Sequence, residues 1–444
     1  MRELVAYMYD REVGRFREHP DGRVVFAYSP GWLSSGGHAL SVSLPLTAEE
    51  LPSDKVESFI AGLLPDSIQH RKLLAAELDI EDDPTDFAFL SRLGRDCAGA
   101  ITVVPEGESL AHDGAPYYEV LSESQLADYI RTLPQRPLLV DEDGGVLLSL
   151  AGVNDKAAVV VVDGKIAIPH YGFPTSHILK PDIAALPESI RVENFCLLLA
   201  KECGHVVPKT KIARAQDQVF MQMARYDRLI VLRNGRRDLV RLHQEDFCQA
   251  LGYRPEKKYE RKGGPGWREC FALMEVTDDP VASKKALLDR AIFQFLVGNP
   301  DAHAKNYSLL YRRDGTRRLA PFYDLNNAAA YRANFKKVKP LMAMAIGGEF
   351  DRTNIRLEHW QAFAEECGLN PSNVMARVRS QAKRMVESAP MLREFVRGTV
   401  ADASKLDVVV EDVLVRAKGM LEELDRRYVK AKASADAQVG RLGM

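Results

Sequence analysis

Chemistry-bearing side chains are concentrated in one loop, Gly298–Asn306, and at a single acid downstream of it. The loop holds an acid, a histidine, a lysine and a carboxamide within six positions. Phosphoryl transfer to a hydroxyl needs one carboxylate that orients or deprotonates the nucleophile, and an Asn and a second Asp that hold Mg²⁺ against the nucleotide phosphates. The spacing therefore predicts Asp301 as the catalytic carboxylate, with Asn306 and Asp324 as magnesium ligands.

Each of these residues also has a structural interpretation. Asp and Asn commonly cap helices, so Asp301 or Asn306 alone would be read as a cap. The spacing of five between them matches the catalytic loop of protein kinases, and Asp324 completes the set, which favours the catalytic reading. His303 has no second histidine at helical spacing, so a structural or phosphate-facing role is favoured over zinc binding. For Lys305, a phosphate or substrate contact and a solvated surface lysine both stay open.

A second pair of charged residues precedes the loop. Lys180 follows a predicted strand, Thr175–Leu179, whose alternate residues are apolar. In a kinase small lobe such a lysine contacts the α- and β-phosphates and pairs with a glutamate on the next helix. Glu193, on a helix predicted over Ile190–Cys203, is the possible partner of Lys180. A surface acid near a positive helix N-terminus is the alternative for Glu193.

Two backbone segments would complete a nucleotide site. The predicted phosphate-covering turn contains one glycine where a dinucleotide fingerprint has three, so an ordinary hairpin turn remains the alternative. This turn consists of Ala151, Gly152, Val153, Asn154, Asp155 and Lys156. The segment after the strand Val219–Met223 would form the hinge, where Tyr226 is predicted to contact adenine. Asp227 is expected to hold Arg225 or Arg228.

The amino-acid composition limits the classes of function that the protein can have. The chain has 444 residues, of which 46% are hydrophobic and 27% charged, and its net charge is -2. These values indicate an ordinary globular protein and argue against strong independent nucleic-acid binding. The six cysteines form no CxxC pair and are expected to be reduced buried thiols. We find no signal peptide and no apolar run of membrane-spanning length, so a soluble cytoplasmic protein with no membrane contact is expected.

Four segments are predicted. Residues 1–105 read as strands followed by helices, a structural or docking module in which neither Leu63–Ser67 nor Gly94–Ala100 contains a catalytic set. Residues 106–145 read as a linker with one helix, Glu123–Thr132. Residues 146–226 have the strand and helix order of a kinase small lobe. Residues 227–444 should form a mainly helical lobe with helices over Gln244–Ala250 and Lys284–Val297, a mobile loop over Lys257–Trp267, and a long last helix.

Taken together, these motifs resemble the HipA family of bacterial serine/threonine kinases, the toxins of type II toxin–antitoxin pairs. The similarity runs nearly end to end. It is carried by Leu64–Ser67, Gly94–Asp96, Ser149–Lys156, His177–Lys180, Cys196–Glu202, Gln244–Gln249, Asp301–Asn306 and Pro321–Asp324.

The resemblance implies an α+β, two-lobed protein-kinase-like fold, with ATP between the lobes, a small N-terminal α/β subdomain and a mainly helical C-lobe. Asp301 matches the catalytic acid, Asn306 and Asp324 match magnesium ligands, and Lys180 matches the phosphate-binding lysine. Gln244 and His303 match nucleotide-pocket residues. Ser149 matches a serine whose autophosphorylation ejects the phosphate loop and switches the enzyme off.

The resemblance also implies partners. The known substrates are aminoacyl-tRNA synthetases, glutamyl-tRNA synthetase in the best-known relative, whose phosphorylation halts growth. The expected partner is a HipB-like helix-turn-helix antitoxin that tethers the kinase to operator DNA, so DNA contact would be largely indirect. Two positions depart from the family pattern. Ala224 replaces the usual acid at the start of the hinge, and Asn154-Asp155 replaces the usual Gln-Glu or Gln-Asp of the phosphate loop.

Two other functions stay open from the residues. A small-molecule or lipid kinase would share the Asp-to-Asn loop, but such enzymes do not need the N-terminal module. A non-catalytic nucleotide-binding scaffold acting in operator repression would not need to keep Asp301, Asn306 and Asp324 together. The leading hypothesis is an ATP- and magnesium-dependent serine/threonine-protein kinase.

Overall fold

The N-terminal unit is an antiparallel four-stranded sheet covered by helices. In this computed structural model, which describes residues 1–108, 110, 118–133, 156–170, 173–233, 236–332, 340–399 and 404–442, the strand order is β3-β2-β1-β4. Gly14 lies where an added Cβ would sit 2.2 Å from the carbonyl oxygen of Ala27 on the next strand, so the pairing requires glycine there. The elements are β1 (Arg2–Met8), β2 (Arg11–Glu18), β3 (Val24–Tyr28), α1 (Pro30–Ser34), α2 (Ser53–Leu63), α3 (Ile68–Glu77), α4 (Asp86–Leu93) and β4 (Ile101–Pro105).

A six-stranded antiparallel sheet forms the next unit, with strand order β5-β7-β6-β8-β10-β9. Residues 118–133, within the segment expected to be a linker, contribute a strand and a capped helix to this unit, and Ala127 and Ile130 of the helix pack into its core. The elements are β5 (Tyr118–Val120), α5 (Glu123–Thr132), β6 (Ala157–Val162), β7 (Lys165–Pro169), β8 (His177–Pro181), α6 (Ser189–Glu202), β9 (Thr210–Ala215) and β10 (Gln218–Ala224).

The remaining residues form a helical lobe with three small sheets. The hairpin of β11 (Arg228–Arg233) and β12 (Arg236–Arg241) follows the hinge directly. The other strands are β13 (Gln244–Asp246), β14 (Ser308–Tyr311), β15 (Arg317–Leu319), β16 (Leu341–Ile346) and β17 (Glu349–Asp351). The helices are α7 (Phe247–Leu251), α8 (Trp267–Leu273), α9 (Pro280–Val297), α10 (Leu357–Glu366), α11 (Pro371–Thr399) and α12 (Ser404–Leu442). The apolar faces of α9, α11 and α12 meet in one large core.

One local prediction for this lobe was wrong. The helix expected over Gln244–Ala250 begins as strand β13, which pairs with β14, and becomes helical only at Phe247. Long-range pairing with Ser308–Tyr311 overrides the local helical pattern there. The segment expected to be a mobile loop, Lys257–Trp267, contains a short 3₁₀ turn at Glu260–Lys262, and the Glu260 carboxylate accepts from the backbone N–H of Ala345.

The cysteines agree with the sequence prediction. All six are free thiols, and all but Cys367 are fully buried. Among the helices in the described ranges, none combines the length and apolar character that a membrane span requires.

Candidate active site

A cleft of about 340 Å³ lies where the three units meet. This volume falls in the range of small-molecule binding sites. Its walls come from all three units. They are Gly62, Asp66, Ala98, Lys156, Ile178, Lys180, Met223, Ala224, Arg225, Tyr226, Asp227, Gln244, Asp246, Gln249, Lys258, Tyr259, Asp301, His303, Lys305, Asn306, Ser308, Tyr323 and Asp324. The predicted site residues within the described ranges, apart from Glu193, therefore line a single cavity.

The end of helix α9 sets the position of Asp301. Gly298 ends the helix in the left-handed region, with φ +75°, which glycine adopts without the penalty a side chain would bring. The Asn299 side chain then accepts from the backbone N–H of Asp301 at 3.0 Å. The Asn306 amide donates to the backbone carbonyl of Asp301 at 2.8 Å. The loop is thus closed on itself, and it presents an Asp301 side chain that is 51% exposed.

Tyr259 contacts the Asp301 carboxylate directly. Its hydroxyl donates to Asp301 Oδ1, and its ring packs edge-on against His303. Burial by the cleft walls and repulsion from Asp324 raise the pKa of Asp301 to about 6, while the Tyr259 hydrogen bond opposes the rise. A carboxylate with a raised pKa is suited to accept a proton from a bound alcohol.

Asp324 faces the two lysines of the small lobe. Its Oδ1 lies 3.7 Å from the ammonium of Lys180. Burial disfavours its ionisation, but Lys180 and Lys156 outweigh that cost and lower its pKa. Asp324 has φ +57°, an unusual conformation for a residue with a side chain, and its carbonyl accepts from the Asn299 amide. Such strained residues occur disproportionately at functional sites.

Lys180 and Glu193 form the predicted ion pair. The Lys180 ammonium donates to Glu193 Oε1 at 2.6 Å, and the two side chains are 14% and 12% exposed. Burial lowers the pKa of Lys180, but Glu193 and Asp324 more than compensate, so the lysine stays charged. The alternative reading of Glu193 as a surface acid is therefore wrong.

The hinge presents an aromatic surface. Tyr226 stacks on Tyr323, with ring centroids 5.5 Å apart and an interplanar angle of 21°. Its hydroxyl donates to Gln244 Oε1 at 2.6 Å. Ala224 is the last residue of β10, and its backbone N–H donates to Lys209. The flat pair of rings beside backbone groups could receive a purine.

A buried ion cluster fixes this hinge to the N-terminal unit. Asp96 accepts from Arg228 at 2.8 Å and from Arg241 at 3.1 Å, and it lies 3.5 Å from Arg225. Asp227 pairs with both Arg225 and Arg228, whereas the sequence analysis expected it to hold one or the other. Burial of charged groups is tolerated when each charge is paired and hydrogen-bonded, as here.

His303 and Lys156 complete the described cleft. His303 is buried, its Nε2 lies 3.6 Å from Asp301 Oδ1, and burial together with Lys258 lowers its pKa to about 3, so it is neutral. Burial and Lys180 lower the pKa of Lys156 to about 8. The rest of the predicted phosphate loop, Ala151–Asp155, lies outside the described residues, as does Ser149.

Several residues of the cleft were not predicted from the sequence, among them Asp66, Lys258 and Tyr259. Asp66 comes from a stretch predicted to hold no catalytic group, whereas Lys258 and Tyr259 lie in the segment predicted to be a mobile loop. Lys305 is not a solvated surface lysine, because its side chain is 7% exposed and pairs with Asp246 at 3.1 Å. The many charged and aromatic residues around Lys258 could have marked this segment as functional. No feature of the local sequence, however, places Lys258 beside Asp301.

The donor set of the cleft fits a magnesium ion. Mg²⁺ prefers oxygen ligands and is usually held by one or two carboxylates together with substrate phosphates. Asp324 supplies a carboxylate. Asn306 uses its amide nitrogen on Asp301, which leaves its amide oxygen for a cation. In the described part of the chain no group of three or more His, Cys, Asp or Glu side chains could enclose a metal without such phosphates.

Comparison with known proteins gives matches along nearly the whole chain. Residues 4–104 match the family model of the HipA N-terminal domain, and residues 148–389 match that of the HipA-like C-terminal domain. "Putative kinase Y4mE" of Sinorhizobium fredii is 37% identical over 94% of this chain and 98% of its own length. "Serine/threonine-protein kinase toxin HipA" of Shewanella oneidensis is 30% identical, covering 82% of each chain.

A solved structure agrees with these matches. Shewanella oneidensis HipA, in a complex with HipB and operator DNA, superposes with a TM-score of 0.81 at 26% identity, covering 95% of this chain and 98% of the other. The predicted two-lobed, kinase-like α+β fold is thereby confirmed. With both domain models matched and relatives aligned over most of its length, the chain belongs to the HipA family.

Proposed function

We propose that this protein is an ATP-dependent serine/threonine-protein kinase and the toxin of a toxin–antitoxin pair. The observation that carries the proposal is the convergence of Asp301, Asn306, Asp324 and the Lys180–Glu193 pair on one cleft. These are the parts that phosphoryl transfer requires, although they come from distant parts of the sequence.

Each residue has a role that follows from its contacts. Asp301 receives the proton of the acceptor hydroxyl, because it is the half-exposed carboxylate that already accepts a hydroxyl hydrogen bond. Lys180, kept charged by Glu193, binds nucleotide phosphates. Tyr226 and Gln244 receive the base. Asn306 and Asp324 would hold Mg²⁺, which when bound neutralises charge on the transferring phosphoryl group.

The relatives support the choice of a protein substrate and of a partner. A 30% identical relative is named as a serine/threonine-protein kinase toxin, and the superposed HipA was solved with HipB and operator DNA. We infer that this chain likewise binds a HipB-like antitoxin and reaches operator DNA mainly through it. An aminoacyl-tRNA synthetase is the proposed substrate class, and autophosphorylation at Ser149 the proposed off-switch.

The first experiment is intact-mass analysis and peptide mapping after incubation with Mg²⁺ and ATP. Wild type, Asp301→Asn and the control Asp314→Asn are compared, because Asp314 does not line the cleft and its carboxylate accepts hydrogen bonds from Thr316 of the same turn. Phosphate on Ser149 in the wild type and the control, but absent from Asp301→Asn, is the expected result. Phosphate elsewhere with Ser149 unmodified would reject the off-switch.

The toxin role needs a second assay. Purified aminoacyl-tRNA synthetases are incubated with the kinase and radiolabelled ATP, and their charging activity is measured. Loss of charging with wild type but not with Asp324→Asn is expected. If Asp324→Asn keeps full transfer activity, the assigned metal ligand is wrong, and if no synthetase is labelled, the substrate class is wrong.

A further inference from the structure

The N-terminal unit reaches into the active-site cleft at the end of helix α2. Gly62, in the last turn of that helix, packs so closely on Gln249 that an added Cβ would lie 2.4 Å from its Cγ. Gln249 in turn donates to the Phe59 carbonyl at 3.0 Å. This close approach brings the residues after α2, including Asp66, against the catalytic loop, although they are more than 200 positions apart in the chain.

Asp66 pairs with two lysines of the cleft. Its carboxylate lies 3.2 Å from the ammonium of Lys258 and 3.4 Å from that of Lys305, and the side chain is 7% exposed. Lys305 also donates to Asp246 at 3.1 Å and to the Gly62 carbonyl at 3.3 Å. The Lys305 ammonium is therefore held by groups from the N-terminal unit on one side and from the N-cap of α7 on the other.

Both lysines are connected to the residues that would do the chemistry. Lys305 immediately precedes Asn306, which donates to the Asp301 carbonyl. Lys258 immediately precedes Tyr259, which donates to the Asp301 carboxylate, and the Lys258 carbonyl accepts from the backbone N–H of Ala304. Each ammonium is therefore held on a residue that directly precedes a hydrogen-bond partner of Asp301.

We propose that Asp66 is a positioning residue for phosphoryl transfer, which acts through Lys258 and Lys305 and makes the N-terminal unit a part of the active site. The inference rests on the proposed kinase function. It assigns a role in the reaction to a unit that the sequence presented as a structural or docking module.

A contact that only joined the two units would not need to lie in the cleft. Asp86 makes such a contact: it binds Arg254 of the helical lobe at 2.9 Å and also pairs with Arg71, and it does not line the cleft. Its side chain is 15% exposed, so it is a partly buried inter-unit acid like Asp66. Asp86→Asn is therefore the matched control for Asp66→Asn.

The test measures kcat and the KM for ATP of full-length wild type, Asp66→Asn, Asp86→Asn and Asp301→Asn, together with thermal unfolding. Asp66→Asn should lower kcat by about 10- to 100-fold, because displacement of catalytic groups by about an ångström has effects of that size. Its KM for ATP should change by less than about threefold, since Lys180 and Tyr226 keep their contacts. Asp86→Asn should unfold at a temperature similar to that of Asp66→Asn and should keep the kcat of the wild type.

Two further variants make the assignment specific. Lys305→Met should lower kcat to a similar extent, and adding Asp66→Asn to it should cost less than the product of the two single effects, because the residues act together. Asp66→Glu keeps the charge but shifts the carboxylate by one methylene, so it should lower kcat less than Asp66→Asn. If Asp66→Asn does not fold, Asp66→Glu carries the test.

The outcomes separate the two proposals. Wild type without phosphoryl transfer would overturn the kinase function, and this inference with it. An active wild type beside a folded Asp66→Asn with unchanged kcat would overturn the role of Asp66 alone, and where Asp66→Asn does not fold, an unchanged kcat in Asp66→Glu would do so. Equal losses of kcat in Asp66→Asn and Asp86→Asn, with equal losses of thermal stability, would also overturn it, since any inter-unit contact would then have the same effect.

Discussion

Asp96→Asn should destabilise the protein strongly, because Asp96 is the shared anion of the buried cluster at the hinge. Its side chain is 2% exposed, and it accepts from Arg228 and Arg241 and lies 3.5 Å from Arg225. Thr175 adds a hydroxyl hydrogen bond at 2.8 Å. With a neutral amide at position 96, the guanidinium groups of Arg225 and Arg228 would share the single carboxylate of Asp227.

The size of the expected loss of stability follows from the burial of the arginines that pair with Asp96. Arg225 and Arg228 are 2% and 1% exposed, so neither can recover hydration when Asp96 loses its charge. Removing one partner of such a buried pair typically costs about 3–5 kcal/mol. Arg241 is 20% exposed and contributes less. Asp425→Asn is the control, since Asp425 is 65% exposed and its pair with Arg379 should contribute less than about 1 kcal/mol.

Urea unfolding monitored by tryptophan fluorescence and circular dichroism measures the effect. Trp32 reports on the N-terminal unit, and Trp267 and Trp360 report on the helical lobe. Burial raises the pKa of Asp96, but Arg228 and the other arginines outweigh this and depress it below its ordinary value. Its stabilising contribution is therefore fully present above about pH 4 and is lost as the pH falls through the depressed pKa.

A loss below about 1 kcal/mol in Asp96→Asn at pH 7 would refute this reasoning, because the cluster would then behave like an exposed pair. A loss as large as predicted that stayed constant down to pH 2 would refute the electrostatic cause. ATP affinity provides an independent check. Arg225 and Arg228 flank Tyr226, so a displaced hinge should weaken nucleotide binding as well.

Three further predictions concern single side chains. Lys180→Met should weaken ATP binding by about 10- to 100-fold in a direct binding assay, because a charged hydrogen bond to phosphate is lost and Glu193 is left unpaired. Tyr259→Phe removes a hydrogen bond that lowers the pKa of Asp301, so the acid limb of kcat/KM should move from near pH 6 to higher pH. Glu245 is buried, and burial raises its pKa to about 7, so wild type should lose stability as the pH rises from about 4.5 to 7, and Glu245→Gln should lose less.

Each of these has a contradicting result. Unchanged ATP affinity in Lys180→Met would remove that lysine from the phosphate site. An acid limb that stays in place, or moves to lower pH, in Tyr259→Phe would show that the Tyr259 hydroxyl does not stabilise the ionised Asp301. Parallel pH–stability curves for wild type and Glu245→Gln would assign the pH dependence to other groups.

The sequence was sufficient where the chemistry is local or follows a repeating pattern. Asp301 and Asn306 lie in one short loop, so their spacing can be read directly from the sequence. The alternating apolar residues before Lys180 predicted that a strand ends there. Helix Glu123–Thr132 has the bounds that were predicted for it, and the capping box of Ser122 and Gln125 that begins it is a local feature of the sequence. The Lys180–Glu193 pair was proposed because a kinase small lobe pairs such a lysine with a glutamate on the next helix, and the two side chains do form an ion pair.

Tertiary structure decided what depends on distant contacts. Lys305 could have been exposed or buried, and it became buried because Asp66 and Asp246, from separate units, converge on it. Tyr259 was assigned to a mobile loop, yet packing of that loop over the catalytic loop brings its hydroxyl onto Asp301.

Gln244 was predicted as helical and is a strand residue, because pairing with Leu310 overrides its local propensity. Burial and pairing between residues far apart in the chain are properties of the packed state, so no local pattern encodes them. The candidate catalytic residues could therefore be predicted from single motifs. The contacts that the N-terminal unit makes with Lys258 and Lys305 could be known only once the chain was folded.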